Sequence, residues 1–100
     1  MPVVFDGFVW DGANREKCQR HGVSIAEIEQ SLSEGSAIAP DPAHSFDEQR
    51  FIAVNRNAQG RPMFIAFTLR KLDGTTLIRP VSARYMHRKE VARYEKSSRS

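Results

Sequence analysis

Arg70, Arg79 and Arg84 are the residues of this 100-residue chain whose type and spacing most readily do chemistry. A guanidinium stays charged at any workable pH and meets a phosphate with a two-pronged hydrogen bond. Arg70 stands at the exit of an apolar strand candidate, Arg79 within the last strand candidate and Arg84 just past its end. Arg70 and Arg79 flank a turn at 72–75, so a hairpin brings them near each other. Arg79 and Arg84 are five apart, and an ideal strand points such residues to opposite faces. A strand ending near Ser82 lets the following turn redirect Arg84. The set reads equally as a phosphate clamp or as surface arginines paired with Glu48, Asp73 or Glu90. The three histidines, His21, His44 and His87, form no spaced pair such as H-x-x-x-H, which argues against a zinc enzyme. There is no P-loop, no G-x-G-x-x-G and no G-x-S-x-G, which removes most nucleotide-dependent and serine-hydrolase readings. The adjacent carboxylates Asp47 and Glu48 read as solvated loop residues. No metal and no cofactor is implied.

These residues need elements to position them. Phe8-Val9-Trp10 reads as a short edge strand, and Asp11 as the N-cap of a polar helix running to Arg20. His21-Gly22 ends it, since glycine tolerates the left-handed conformation past a helix end. Ser24-Ile25-Ala26-Glu27 is a capping box, and Ile25, Ile28 and Leu32 recur at helical spacing, predicting a second helix over 25–33 stopped by Gly35. Residues 36–48 read as a loop touching a short strand at Ala37-Ile38-Ala39. Strand candidates follow at 49–55, 62–69 and 75–82, separated by turn residues, which makes an antiparallel meander. Met63-Phe64-Ile65-Ala66-Phe67 is apolar on both faces, so a partner is expected to complete an exposed apolar patch. A basic helix over 85–96 ends the chain, with 97–100 a frayed tail.

Composition bounds the rest. The length allows one domain, 1–100, with one core. No run of 18 apolar residues exists, so no membrane-spanning helix is expected. Met1-Pro2-Val3-Val4-Phe5-Asp6 lacks the pattern of a signal peptide, and the single cysteine, Cys18, can form no internal disulfide. Both point to a reducing, intracellular setting. Residues 1–60 hold five Lys+Arg and nine Asp+Glu, net −4, while residues 61–100 hold ten and three, net +7. That split reads either as a polyanion-binding half or as a solvated basic helix.

Several segments, in order, resemble the BrnT family, the toxin halves of BrnT/BrnA type II toxin–antitoxin pairs. Val9-Trp10-Asp11 resembles the family's aromatic-W-D strand, and Asn14 to Ser24, NREKCQRHGVS, its N-x-x-K-x-x-[KR]-H-G-V-S block. His44 to Phe51, HSFDEQRF, resembles its H-S-x-x-E-x-R-[FW] stretch. Arg79-Pro80-Val81-Ser82-Ala83-Arg84, with Lys89-Glu90 and Tyr94-Glu95, resembles its ending. The match covers roughly 8–95. Two positions depart from the pattern. Pro80 stands where many members have an aliphatic residue, and proline requires that strand to lie at an edge or to break its ladder. Asn14 stands where the family frequently has a lysine, and Lys17 is the nearest substitute.

The resemblance implies an α+β, RelE-like fold: a small antiparallel sheet of three or four strands plus a short N-terminal strand, two N-terminal helices and one C-terminal helix. It implies a bacterial cytoplasmic endoribonuclease that arrests growth. The implied partner is a BrnA-like antitoxin with a ribbon-helix-helix domain. Operator DNA is reached only through that antitoxin, and no membrane is involved. RNA is cut without metal when its 2′-hydroxyl attacks the adjacent phosphate, which needs a base, an acid and positive charge. Arg70, Arg79 and Arg84 supply charge, and a histidine supplies proton transfer. His21 is the first candidate, with a helix-end cap as the alternative; His87 is the second, and His44 reads as exposed. Ser82 and Tyr85 orient phosphate. Trp10 stacks on a base or belongs to the core, and Lys17 and Arg88 complete the RNA-binding set. A non-catalytic nucleic-acid-binding module and a protein-interaction domain remain as alternatives.

Overall fold

A computed structural model of the chain describes residues 5–44 and 48–98. Residues 45–47 of the stretch that begins at His44, the first four residues and the last two residues of the tail lie outside the described residues.

Helix α1, Gly12–Gln19, is too polar to be held by an apolar stripe. Its start explains it. The Asp11 carboxylate accepts from the Asn14 amide at 3.0 Å, and the Asn14 side chain accepts from the Asp11 amide at 2.7 Å. The same Asn14 side chain donates to the Val9 and Pro80 carbonyls, both at 2.9 Å. Asn14 is buried; two of its four hydrogen bonds close the cap with Asp11, and the other two tie the helix to Val9 and to Pro80 of the sheet. In this chain the position that the resemblance gives to a lysine is a structural one. Cys18, on the same helix, is fully buried, and desolvation pushes its thiol up to about 11, so it is an inert core residue. Helix α2, Ile25–Ser33, begins at the expected capping box, with Ser24 and Glu27 bonded reciprocally at 3.1 and 3.0 Å. Gly22 adopts φ 91° between the helices, a conformation that costs a side chain.

The described strands are β1 (Gly7–Phe8), β2 (Ala37–Pro40), β3 (Arg50–Arg56), β4 (Pro62–Leu72) and β5 (Thr75–Tyr85). They form one sheet of order β1-β5-β4-β3-β2. The meander is antiparallel as expected, but β1 runs parallel to β5, so the sheet is mixed. Cross-strand partners share a face. One face carries Met63, Ile65 and Phe67 of β4, Ala53 of β3, and Ile78 and Ala83 of β5. Against it pack Cys18 of α1, Val23, and Ile28 and Leu32 of α2. Burying a side chain the size of Phe67 or Ile65 contributes about 1.5–3 kcal/mol, so this one layer of helix on sheet is the core.

Two expectations concern β5, and the first needs correction. The strand does not end near Ser82 but continues to Tyr85, and the last helix, α3, spans Arg88–Ser98 rather than starting at 85. Pro80 does not put β5 at an edge, since β5 lies between β1 and β4. The carbonyls of Thr76 and Ile78 accept from Asp6 and Val9, so they face β1. Pro80 follows on that side, where β1 has ended and Asn14 takes the free carbonyl. The ladder to β4 also shifts register here, opposite Ala66 and Phe67, as a proline near a bulge allows.

The expected exposed apolar patch is smaller than the sequence suggests. Phe64, Val54 and Ile52, on the second face, are half-buried, and Ala66 is buried. Phe64 and Val54 line a cavity with Glu90, Arg93 and Tyr94 of α3. The Arg84 guanidinium lies 4.7 Å from the Phe64 ring. Among the described residues the exposed large apolar side chain is Leu72, in the β4–β5 hairpin.

Candidate active site

The bulge in β5 decides what the second sheet face can do. Ala83 pairs with Ile65 and Pro80 with Phe67, so the pair on the core face are three residues apart instead of two. The extra residue, Val81, resets the alternation. Ser82 pairs with Ala66, Arg84 with Phe64 and Arg79 with Thr68, so all three side chains lie on the second face. Arg79 and Arg84 thus share a face inside a continuous strand, without the turn that the sequence reading invoked. Arg70 joins them through Leu77 in the same register.

Arg84 is fixed from two sides. Both Nη1 and Nη2 donate to the Glu90 carboxylate, at 2.8 and 2.9 Å, while Phe64 lies beneath. Those hydrogen bonds, with the His87 amide donating to Glu90 at 2.8 Å, hold the Glu90 carboxyl down to about 2. A guanidinium has five N–H donors, so Arg84 keeps donors for a ligand. His21, turned by Gly22 at the end of α1, lines a cavity of about 380 Å³ with Ser82, Arg84, Asp41, Phe64 and Ala66. A second cavity of about 340 Å³ is lined by His21, Arg61, Arg84, Tyr85, Met86 and His87. The two share His21 and Arg84, so they adjoin at the end of the sheet.

Arg61 was not singled out by the sequence, although it opens β4 just before Pro62. Its guanidinium lies 3.8 Å from the centre of the Tyr85 ring, in stacking range. Tyr85 donates to Glu27 at 2.8 Å, and Asn57 donates to the same oxygen at 2.9 Å. Burial and Glu27 push the Tyr85 phenol up. Its hydroxyl is occupied, so Tyr85 serves as the platform for Arg61 rather than as a phosphate donor. Desolvation pushes Glu27 up, but hydrogen bonds from Ser24, Asn57 and Tyr85 outweigh it and hold the carboxyl down to about 2.

The other candidates are dispersed. Arg70 and Arg79 line a separate cavity with Val9, Lys71 and Leu72. Arg79 is paired with Asp11 at 2.9 Å and Arg70 with Glu48 at 3.2 Å. Of the expected acidic partners, Glu48 and Glu90 are in place, while Asp11 takes the role given to Asp73. Trp10 packs against the core and donates to Glu29 of α2 at 2.9 Å, so the indole is anchored away from the His21 cavities. Lys17 is exposed on α1, and Arg88 is exposed at the start of α3, next to His87. His87 caps that helix, its carbonyl accepting from Val91 at 2.9 Å. His44 lies in a turn of 3₁₀ helix over Pro42–His44.

A family model described as "Ribonuclease toxin, BrnT, of type II toxin-antitoxin system" matches residues 10–90. The chain belongs to the BrnT family. It is thereby placed among the ribonuclease toxins of type II toxin–antitoxin systems, whose substrate is RNA and whose partner is an antitoxin. No curated protein matches the chain. The BrnT match spans α1, the whole meander and the start of α3, and so includes His21, Ser82, Arg84 and His87. No helix of the described residues is long and apolar enough to cross a membrane.

The two low carboxylates carry a stability prediction. A glutamate that ordinarily titrates at 4.5 and is held near 2 stabilises the fold fully above the ordinary value. That contribution is lost as pH falls from about 4.5 towards 2. Thermal melts followed by circular dichroism are expected to be flat down to about pH 5 and to fall steeply below it. Glu27→Gln is expected to lower the melting temperature at pH 7 and to flatten part of that acid slope.

Proposed function

We propose that this chain is an endoribonuclease that cuts RNA without a metal ion, through attack of the 2′-hydroxyl on the adjacent phosphate, in the cleft between His21 and His87. The observation that carries the reading is that both histidines line one cavity with Arg61 and Arg84. That set supplies the three things the reaction needs. One imidazole takes the 2′-hydroxyl proton, and the other gives a proton to the departing 5′-oxygen. Arg84, held rigid by Glu90 and Phe64, and Arg61, held on Tyr85, neutralise charge that grows on the phosphate oxygens. Ser82, in the adjoining cavity, donates to the phosphate from β5. Arg70 and Arg79, further along the same face, take flanking phosphates.

The fold is read as RelE-like, one toxin domain over 1–100, acting in the bacterial cytoplasm. The mixed sheet with helices α1 and α2 on one face supports that reading, and the part of the other face beyond α3 is left to the substrate. The partner is read as a BrnA-like antitoxin with a ribbon-helix-helix domain, which carries the complex to operator DNA. An acidic antitoxin segment covering Arg70, Arg79 and Arg84 inhibits by excluding RNA phosphates, and charge speeds its association with the basic half.

The test is cleavage of a single-stranded RNA by the purified chain in excess EDTA. Shortened RNA at an undiminished rate is expected. Activity that vanishes with EDTA and returns with a divalent ion contradicts the metal-free mechanism. Binding without any shortening favours a non-catalytic module, and complex formation without RNA affinity favours a protein-interaction domain.

A further inference from the structure

Thr68 lies in the middle of the central strand, on the face opposite α1 and α2. It is 3% exposed, and among the described residues its Oγ1 is the buried side-chain polar atom without a hydrogen-bond partner. A buried hydroxyl left unpaired costs stability, and such a group calls for an explanation. Its neighbours supply one. In register it pairs with Arg50 of β3 on one side and Arg79 of β5 on the other, and Arg70 follows two residues later on the same face. Neighbouring strands lie about 4.8 Å apart, so the two flanking arginines have their backbones about 10 Å from each other with the hydroxyl midway. Guanidinium groups reach inwards across that span easily.

We infer that Arg50, Thr68 and Arg79 form a phosphodiester subsite, in which the Thr68 hydroxyl donates to one phosphate oxygen and the arginines to the others. This rests on the reading of the chain as an RNA-cutting enzyme, and it extends the bound strand along β4, away from the His21–His87 cleft. Asp11 takes one Nη2 contact of Arg79, leaving its other donors, and Glu48 holds Arg70 in an exposed pair that yields to a ligand at little cost. The hydroxyl is thus kept at the expense of the free protein's stability, as binding groups often are.

The test follows from that opposition of stability and binding. Purified Thr68→Val, which keeps shape and loses the hydroxyl, is compared with the wild type and with Thr68→Ser. Each is melted without ligand and titrated into a fluorescent single-stranded deoxyoligonucleotide, which has the phosphodiesters but no 2′-hydroxyl to cleave. Thr68→Val is expected to melt about 4–8 °C higher and to bind about tenfold more weakly, while Thr68→Ser keeps wild-type affinity. Equal affinity of the valine variant and the wild type overturns the subsite, including when a carboxylate of the antitoxin is what the hydroxyl serves. Cleavage of RNA by the wild type is read in parallel. Its absence overturns the ribonuclease reading, and the deoxyoligonucleotide affinities still decide the subsite.

Discussion

Alanine in place of His87 is expected to slow RNA cleavage about 10²–10⁴-fold, and alanine in place of His21 by a similar factor. Both side chains are exposed, so neither change is expected to move stability by more than about 0.5 kcal/mol. The contact that His87 makes to Glu90 comes from its backbone amide and survives the substitution. Rate profiles against pH separate the two roles. The wild type is expected to show a bell, and each variant to lose a different limb of it. A His87→Ala protein that cuts at the wild-type rate, with the bell intact, shows that this imidazole moves no proton in the reaction.

Arg84→Ala is expected to lower the cleavage rate about 10²–10³-fold. Here the fold also pays attention to the residue, because the side chain covers Phe64 and pairs with Glu90. A loss of about 1 kcal/mol in stability is expected, which leaves the domain folded. Lysine at this position keeps the charge but loses the paired contact and the flat surface on Phe64, so it restores the rate only in part. Cleavage rates and thermal melts on the same preparations check both halves. A folded Arg84→Ala protein with undiminished cleavage assigns Arg84 to structure alone.

What was legible in the sequence was local. The Ser24–Glu27 capping box set the start of α2 to the residue, because both partners lie within one turn. The turns at 57–60 and 72–75 separated the strands of the meander correctly, since turn chemistry is written in adjacent residues. The bulge at Val81 was not legible. Its register is set by β4 across the sheet, and it alone places Arg79, Ser82 and Arg84 on one face. Pro80 signalled an irregularity but could not say which of its two remedies applied. Asn14 looked like a lost lysine until its contacts to Val9 and Pro80 showed a structural place. Arg61 carries no motif, and its role comes from Tyr85, which lies 24 positions away in sequence and beside it in space. The sequence offered the three arginines as one clamp or as paired surface residues; the sheet divides Arg84 from Arg70 and Arg79, and each has a carboxylate partner.

If the substrate's own 2′-hydroxyl is the nucleophile, the ends of the cut RNA report on it most directly. A short synthetic RNA is incubated with the purified chain in EDTA, and the fragments are weighed by mass spectrometry. The upstream fragment is predicted to end in a 2′,3′-cyclic phosphate, or in the 3′-phosphate it hydrolyses to, with a 5′-hydroxyl on the downstream fragment. A 5′-phosphate on the downstream fragment means that water or another group attacked, and it contradicts the account.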